Sequence, residues 1–357
     1  MKTSLLDYHL PPGRIAERSA RPRDSSRLML LNRQTGRIEH RVFRDIADYL
    51  RRGDVLVMND TKVFRARLYG QTERGRVEIF LLHPTRGRVW SVLARPGKKL
   101  ARGRAIVFSR SLRGIVRAKN SDGTLSVIFN APPAPVIAAA NRIGEIPVPP
   151  YIKRLPRKLE EYQTVYARAV GSVAAPTAGF HFTPRLLGQI RRRGVKIVFV
   201  TLHVGLGTFQ PIRAERLAEH AIHAEWGEIP TATSRVIRET KKRGGRVIAV
   251  GTTTVRALEG LLGPGSHGRS QTRLDLLREI QSRNASRARR GWVKLFITPG
   301  YRFRVVDALI TNFHLPRSTL LALVSAFAGR EKVLRAYRAA IRKKYRFYSF
   351  GDAMLVV

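Results

Sequence analysis

Residues 171–183, GSVAAPTAGFHFT, set one histidine, His181, between Phe180 and Phe182 at the end of a run holding Gly171, Ser172, Pro176, Thr177 and Gly179. An imidazole in such a loop can take up or deliver a proton, and flanking aromatic faces can cover a cation. The same pattern also suits a hydrogen-bonded core histidine. Thr183 and Pro184 read as the N-cap and first position of a helix running through LLGQIRRR to Gly194. A helix N-terminus leaves amide N–H groups unpaired and favours a carboxylate or phosphate. An ordinary strand-to-helix turn is the alternative.

Three further loops have this texture. TLHVGLGTFQP puts His203 before Gly205, Gly207 and Thr208; GTTTVRALEG opens a helix on Thr252, Thr253 and Thr254 with Arg256 two positions further on; TNFHLPRSTL carries Asn312 and His314. A fourth polar corner, Asn59, Asp60, Thr61 and Lys62, follows the apolar run DVLVM and can be ligand-contacting or a plain turn. GLGTF lacks the third glycine of a dinucleotide fingerprint. His220 and His223, with Glu225 behind them, have no third ligand marked, so no metal site is assigned. GxxxxGK[ST], GxSxG and HExxH are all absent, which removes the main sequence support for a phosphate-loop ATPase, an α/β-hydrolase or a zincin.

Elements must exist to carry these loops. FRDIADYLRRG has Ile46, Tyr49 and Leu50 at helical spacing with Gly53 as its stop, and DVLVMND reads as a buried strand. From about residue 64 to 130, six short segments (ARLYGQT, RVEIFLLH, VWSVLARPG, RAIVFS, RGIVRAK, TLSVIF) are punctuated by Gly, Pro, Ser and Asp, the mark of a small antiparallel barrel. APPAP and IPVPPYI, within 131–152, read as a stiff return. Beyond Gly194, strands VKIVFVTL, RVIAVGTTT and VKLFITPGY alternate with helices, ending in STLLALVSAFAG and REKVLRAYRAAIRKK. That alternation predicts an α/β layer with ligands at strand ends. The expected organisation is an α/β domain, 1–63 with 151–357, into which a β-barrel domain, 64–150, is inserted; residues 263–290 read as a basic surface insertion.

The chain has 357 residues, 43% of them apolar and 26% charged, enough for two domains and a large core. No apolar run approaches a membrane span and the N-terminus does not read as a signal peptide, so a cytoplasmic protein is expected. With no cysteine, disulfides and thiolate chemistry are excluded. Sixty-seven Lys and Arg against 25 Asp and Glu leave +42, a field that draws polyanions, with nucleic acid the obvious class.

Taken together, NDTKVFRARL, IPVPPYIKR, YQTVYA with GSVAAPTAGFHFT, TLHVGLGTFQP, GTTTVRALE, FITPGYRF with VVDALITNFHLPRSTLLALVSAFAG, and YRFYSFGDAML closely resemble the S-adenosylmethionine:tRNA ribosyltransferase-isomerases of queuosine synthesis. The blocks run in order over nearly the whole chain. The resemblance implies an α/β domain with an inserted barrel, and a reaction in which the ribosyl part of S-adenosylmethionine is transferred and isomerised onto 7-aminomethyl-7-deazaguanine at the tRNA wobble position. Epoxyqueuosine forms, and adenine and methionine are released. S-adenosylmethionine is then a consumed substrate, with no separate cofactor, and a monomer is expected.

On this resemblance His181 or His203 is the expected base, with His314 and Glu225 next. Phe180 and Phe182 would face the sulfonium; Thr252, Thr253 and Thr254 would hold a carboxylate or phosphate. The other candidate contacts are Asn59, Asp60, Thr61, Lys62, Thr177, Gly179, Gly205, Gly207, Thr208, Arg256 and Asn312. This chain departs from the pattern in carrying Trp292, Val293 and Lys294 where a threonine is usual, and in its longer basic insertion. A non-catalytic RNA-binding or assembly protein, and a transferase acting on a small metabolite, are the competing classes.

Overall fold

The computed structural model describes residues 1–205, 211–263 and 288–357. A nine-stranded mixed sheet is built from β1 (Arg27–Leu31), β2 (Ile38–Val42), β3 (Val55–Asn59), β12 (Lys196–Leu202), β13 (Glu225–Ile229), β14 (Val247–Val250), β15 (Arg289–Val293), β16 (Ala308–Asn312) and β17 (Ala353–Val356). Their order is β15-β13-β12-β3-β14-β16-β17-β1-β2. The four in the middle, β12, β3, β14 and β16, are mutually parallel.

Burial explains which strands are central. β3, β14, β16 and β17 are buried at every position, as expected of continuous apolar runs covered on both faces. β13 alternates buried and half-buried residues, and β2 is half-buried to exposed throughout, which suits the flanks. One face is covered by α3 (Thr231–Lys242), α4 (Thr252–Leu262), α5 (Thr319–Ala328) and α6 (Arg330–Arg342), with Ile237, Leu258, Leu321, Val324 and Tyr337 in one apolar cluster. The other is covered by the segment Phe43–Tyr49 and α2 (Pro184–Arg192), through Phe43, Ile46, Leu186 and Ile190.

The barrel is closed and antiparallel, of six strands: β5 (Arg67–Thr72), β6 (Gly75–Pro84), β7 (Val89–Arg95), β8 (Ala105–Val107), β9 (Arg113–Lys119) and β10 (Leu125–Phe129), in the order β10-β7-β6-β5-β8-β9. Its interior is its own core, with Trp90, Phe64, Leu81, Val92 and Val127. A short parallel pair, β4 (Thr61–Val63) with β11 (Ala169–Ser172), links barrel to sheet.

Three sequence expectations change. FRDIADY forms a 3₁₀ helix, Phe43–Tyr49, rather than an α-helix. The proline-rich stretch does not stay extended: α1 (Pro133–Ile143) starts on Pro133 and packs Val136, Ala139 and Ala140 into the barrel core, since proline is accepted in a first turn whose N–H groups have no partner. Arg289 and Arg290, assigned to the surface insertion, belong to β15; residues 264–287 of that insertion lie outside the described residues. Thr183 does cap α2, its Oγ accepting from the Leu186 N–H at 3.2 Å.

At the edge of the sheet where the parallel strands begin, Asp54 is buried and accepts from Arg246 Nη2 at 2.6 Å, Arg246 Nε at 3.1 Å and the Arg51 N–H at 2.8 Å. Removing one partner of such a pair strands the other. Asp54→Ala is expected to lower stability by about 3 kcal/mol in urea titration, with activity per folded molecule unchanged, because this edge lies opposite the loops that follow the strands.

Candidate active site at the strand ends

Parallel order brings the C-terminal ends of β12, β3, β14 and β16 to one edge, and the conspicuous loops all leave from there: His203 to Gly205 after β12, Asp60 and Thr61 after β3, Gly251 to Thr254 after β14, Phe313 to Leu315 after β16. Ligands in open α/β sheets bind at this kind of edge. A cleft opens there, walled by Tyr151, Thr177, Val204, Thr252, Thr253, Asn312, His314, Ser318, Tyr348 and Ser349.

Its floor is the start of α4. The cap residue Gly251 has φ 89°, a left-handed conformation that a side chain resists, and no side chain caps the helix. Gly251, Thr252 and Thr253 line the cleft, so first-turn N–H groups without intrahelical partners face it. The hydroxyls are partly committed: Thr254 Oγ1 donates to the Val250 carbonyl at 2.6 Å, and Thr253 Oγ1 accepts from Asn59 Nδ2 at 3.3 Å.

One wall is aromatic. Tyr151 and Tyr348 lie with ring centroids 4.8 Å apart, and Tyr151 Oη shares a hydrogen bond of 2.8 Å with Ser349 Oγ. Tyr348 sits at φ 70°, a conformation costly for a bulky residue and found where the surroundings fix it. Burial pushes both phenols above their ordinary range. No loop motif marks these residues; the sequence signal for them lies in the blocks IPVPPYIKR and YRFYSFGDAML.

The histidines separate by environment. His181 is 4% exposed and stacks on Phe43 at 4.8 Å. Its Nδ1 is 2.7 Å from Ser26 Oγ and its Nε2 3.2 Å from Asn312 Nδ2, while Asn312 Oδ1 accepts from Thr177 Oγ1 at 3.1 Å. Both ring nitrogens are engaged, and the imidazole orients the Asn312 amide that faces the cleft. His203 is half-buried, its Nδ1 2.7 Å from Thr61 Oγ1 and its ring stacked on Trp226 at 5.3 Å. Its Nε2 edge rests against Gly171, where a Cβ would come within 2.6 Å. His314 lines the cleft, with Nε2 2.7 Å from Thr311 Oγ1.

Several expected contacts are placed elsewhere. Phe180 and Phe182 do not face the cleft: Phe180 stacks on Phe350 and meets Tyr162 edge-on, and Phe182 meets Phe43 edge-on, both inside apolar clusters. Aromatic residues bracketing a histidine are in this case its packing. Glu225 and Arg256 form a buried ion pair, with Arg256 also donating to the carbonyls of Leu295 and Val293. Glu225 Oε1 accepts from the Gly205 N–H at 3.0 Å, so the pair supports the loop after β12 from beneath. Asp60 is held by Arg168 Nε at 2.5 Å and Thr201 Oγ1 at 2.7 Å. Lys62 is exposed on β4. Gly179 passes under Tyr166, whose Oη would be 1.9 Å from a Cβ. Gly207 and Thr208 lie outside the described residues.

The chain matches the family model described as "Queuosine biosynthesis protein" over residues 3–356. It is 48% identical to the S-adenosylmethionine:tRNA ribosyltransferase-isomerase of Moorella thermoacetica and 47% identical to that of Thermotoga maritima, each match covering all of both chains. The crystal structure of S-adenosylmethionine tRNA ribosyltransferase from Thermotoga maritima matches with a TM-score of 0.55 at 38% identity, covering 99% of this chain and all of that one.

Burial holds the imidazoles of His181 and His314 down to about 3 and that of His203 to about 4; Arg346 and Arg23 push His181 the same way, and Asp60 opposes the shift at His203. In the unfolded chain each titrates near 6.5. Between that value and about 4 the unfolded state therefore binds protons the folded state excludes, and stability falls as pH falls. Glu259, raised by desolvation, acts in the opposite sense. The urea unfolding free energy is expected to drop between pH 7 and pH 5 with a slope of about two to three protons. A midpoint constant over that span would mean the imidazoles are not held neutral.

Proposed function

The chain belongs to the queuosine biosynthesis protein family, and from that membership we propose that it is an S-adenosylmethionine:tRNA ribosyltransferase-isomerase whose reaction takes place in the cleft at the strand ends. The observation that carries the assignment of the site is the meeting, in one cleft, of an uncapped helix start, a tyrosine pair and the neutral imidazole of His314, with His203 next to the lining residue Val204. These answer the three chemical demands of S-adenosylmethionine. Its methionine carboxylate suits the N–H groups of Thr252 and Thr253. Its sulfonium suits the faces of Tyr151 and Tyr348, worth about 0.5–2 kcal/mol when desolvated. Its 5′ hydrogens, acidified by the sulfonium, need a base that is unprotonated at neutral pH.

His203 takes that role in this reading. Its Nδ1 is positioned by Thr61 and its ring by Trp226, and its Nε2, packed against Gly171 beside the cleft residue Val204, is the atom that would take the proton. His314, in the cleft wall, and Asn312, held by His181, are placed to donate to the departing adenine, which must leave with a proton or a hydrogen bond. The amine of the deazaguanine attacks in its neutral form and methionine departs with the electrons of its carbon–sulfur bond. S-adenosylmethionine is consumed, so no further cofactor enters. The single-stranded anticodon loop is the RNA segment whose base can be presented unstacked, and the net charge of +42 supplies attraction for its phosphates. No helix among the described residues is long and apolar enough to cross a membrane. The working form proposed is a cytoplasmic monomer.

Incubation with S-adenosylmethionine, with and without tRNA bearing the precursor base, tests the assignment: free adenine is expected only with the tRNA. Adenine without tRNA would point to a metabolite transferase, and salt-sensitive tRNA binding without turnover to a binding protein. His203→Ala is expected to lower adenine release at least about 100-fold; unchanged release would remove it as the base. His181→Ala is expected to lower release while leaving the pH profile of the remaining activity in place, because it acts by positioning Asn312.

A further inference from the structure

β13 and β15 lie at one flank of the sheet, and their pairing is antiparallel with Trp226 directly opposite Trp292. Directly opposed residues project from the same face. The residues of these strands alternate: Glu225, Gly227, Ile229 and Val293 are buried, whereas Trp226, Glu228, Arg290, Trp292 and Lys294 are half-buried or exposed. Trp292 is 52% exposed, a large apolar surface that the core does not require. Trp90, in the barrel, shows what a structural tryptophan looks like here, at 1%.

The two indoles continue at both ends. His203 stacks on Trp226 with centroids 5.3 Å apart and planes 21° from parallel. His83, at the end of β6 in the barrel, meets Trp292 edge-on at 4.9 Å. Two ring pairs, His203 with Trp226 and Trp292 with His83, thus meet at directly opposed strand positions and lead from the loop after β12, across the flank of the sheet, to the barrel. Cations accompany them: Arg290, bonded to Glu228 at 2.9 Å, and exposed Lys294 on the same face, with exposed Arg86 and Arg88 in the turn that follows His83.

We propose that this ring track is the platform on which unstacked nucleotides of the RNA substrate lie, leading from the barrel to the imidazole of His203. The proposal rests on the reading of the chain as a tRNA-modifying enzyme and adds where the single-stranded loop sits. Every base has a π-face, so exposed aromatic rings beside basic side chains bind unpaired nucleotides whatever their sequence. RNA is recognised at its loops by this kind of stacking. Phosphates explain the cations and bases explain the rings; a purely electrostatic surface would need no tryptophan. The competing account is that Trp292 and His83 only brace the barrel against the sheet.

The test is titration of the full-length protein with an anticodon stem-loop RNA, followed by intrinsic fluorescence. Since Trp90 is enclosed in the barrel, Trp226 and Trp292 should carry the response, and wild type should be quenched. Trp292→Ala should lose most of the quench and bind about tenfold or more weakly at the same salt, with an unchanged melting temperature. Trp292→Phe, which keeps a π-face, should recover most of the affinity. Affinity of Trp292→Ala within twofold of wild type would overturn the platform, as would a melting temperature lowered equally in both variants along with equal losses of binding, which is the signature of a brace. Adenine release by wild type with modified tRNA is measured in parallel. Release with an unaffected Trp292→Ala variant sinks the platform alone. Absence of release sinks the functional reading, while the RNA titration still decides the platform.

Discussion

The side-chain amide of Asn59 holds the site together. It is fully buried, and its hydrogen-bonding capacity is used on three different segments: Nδ2 donates to the Leu202 carbonyl at 3.0 Å and to Thr253 Oγ1 at 3.3 Å, while Oδ1 accepts from the N–H groups of Leu202 and Thr61, each at 3.1 Å. Backbone pairing ends where strands end, and loops leaving a sheet edge otherwise diverge. This one amide ties the end of β12 to the start of α4 and to the turn carrying Thr61, whose hydroxyl in turn fixes His203. A buried amide with every donor and acceptor met is rigid, and leaving its partners unpaired is costly.

Asn312 repeats the device on the other side of β14. It too is the last residue of a buried parallel strand, and it joins Thr177 to His181, which reaches back to Ser26 before β1. Between the two asparagines lies the left-handed Gly251 that starts α4. The cleft is therefore framed by two fixed amides with a helix start between them, and its geometry follows from strand order more than from any loop sequence. Tyr348, held at positive φ by the turn before β17, closes the frame from the antiparallel side.

This explains what the sequence could and could not disclose. Strand periodicity, the six barrel segments, and the capping of α2 by Thr183 are local properties, and local patterns carry them. The glycine- and threonine-rich loops announce themselves by composition. Which side chains of those loops face the cleft depends on contacts more than a hundred residues apart, such as Ser26 with His181 and Asn59 with Leu202, and no local pattern encodes these. Hence Phe180 and Phe182, chosen for standing beside a histidine, turn into the core, and the aromatic rings that line the cleft belong to Tyr151 and Tyr348, separated by nearly two hundred residues. The proline run misleads for a related reason: three prolines suggest an extended return, but the alanines and valine behind them have a barrel to cover, and packing decides for a helix over Pro133–Ile143.

The excess of arginine bears on the chemistry as well as on RNA. A cationic environment lowers the affinity of a neighbouring imidazole for protons, in the same direction as burial. At His181 the two act together, with Arg346 and Arg23 adding to desolvation. At His203 the nearby carboxylate of Asp60 works against burial, but Asp60 is itself matched by Arg168, so the opposition is weakened and the ring stays neutral. Positive charge thus helps keep the ring of His181 unprotonated, whereas at His203 and His314 burial alone does so.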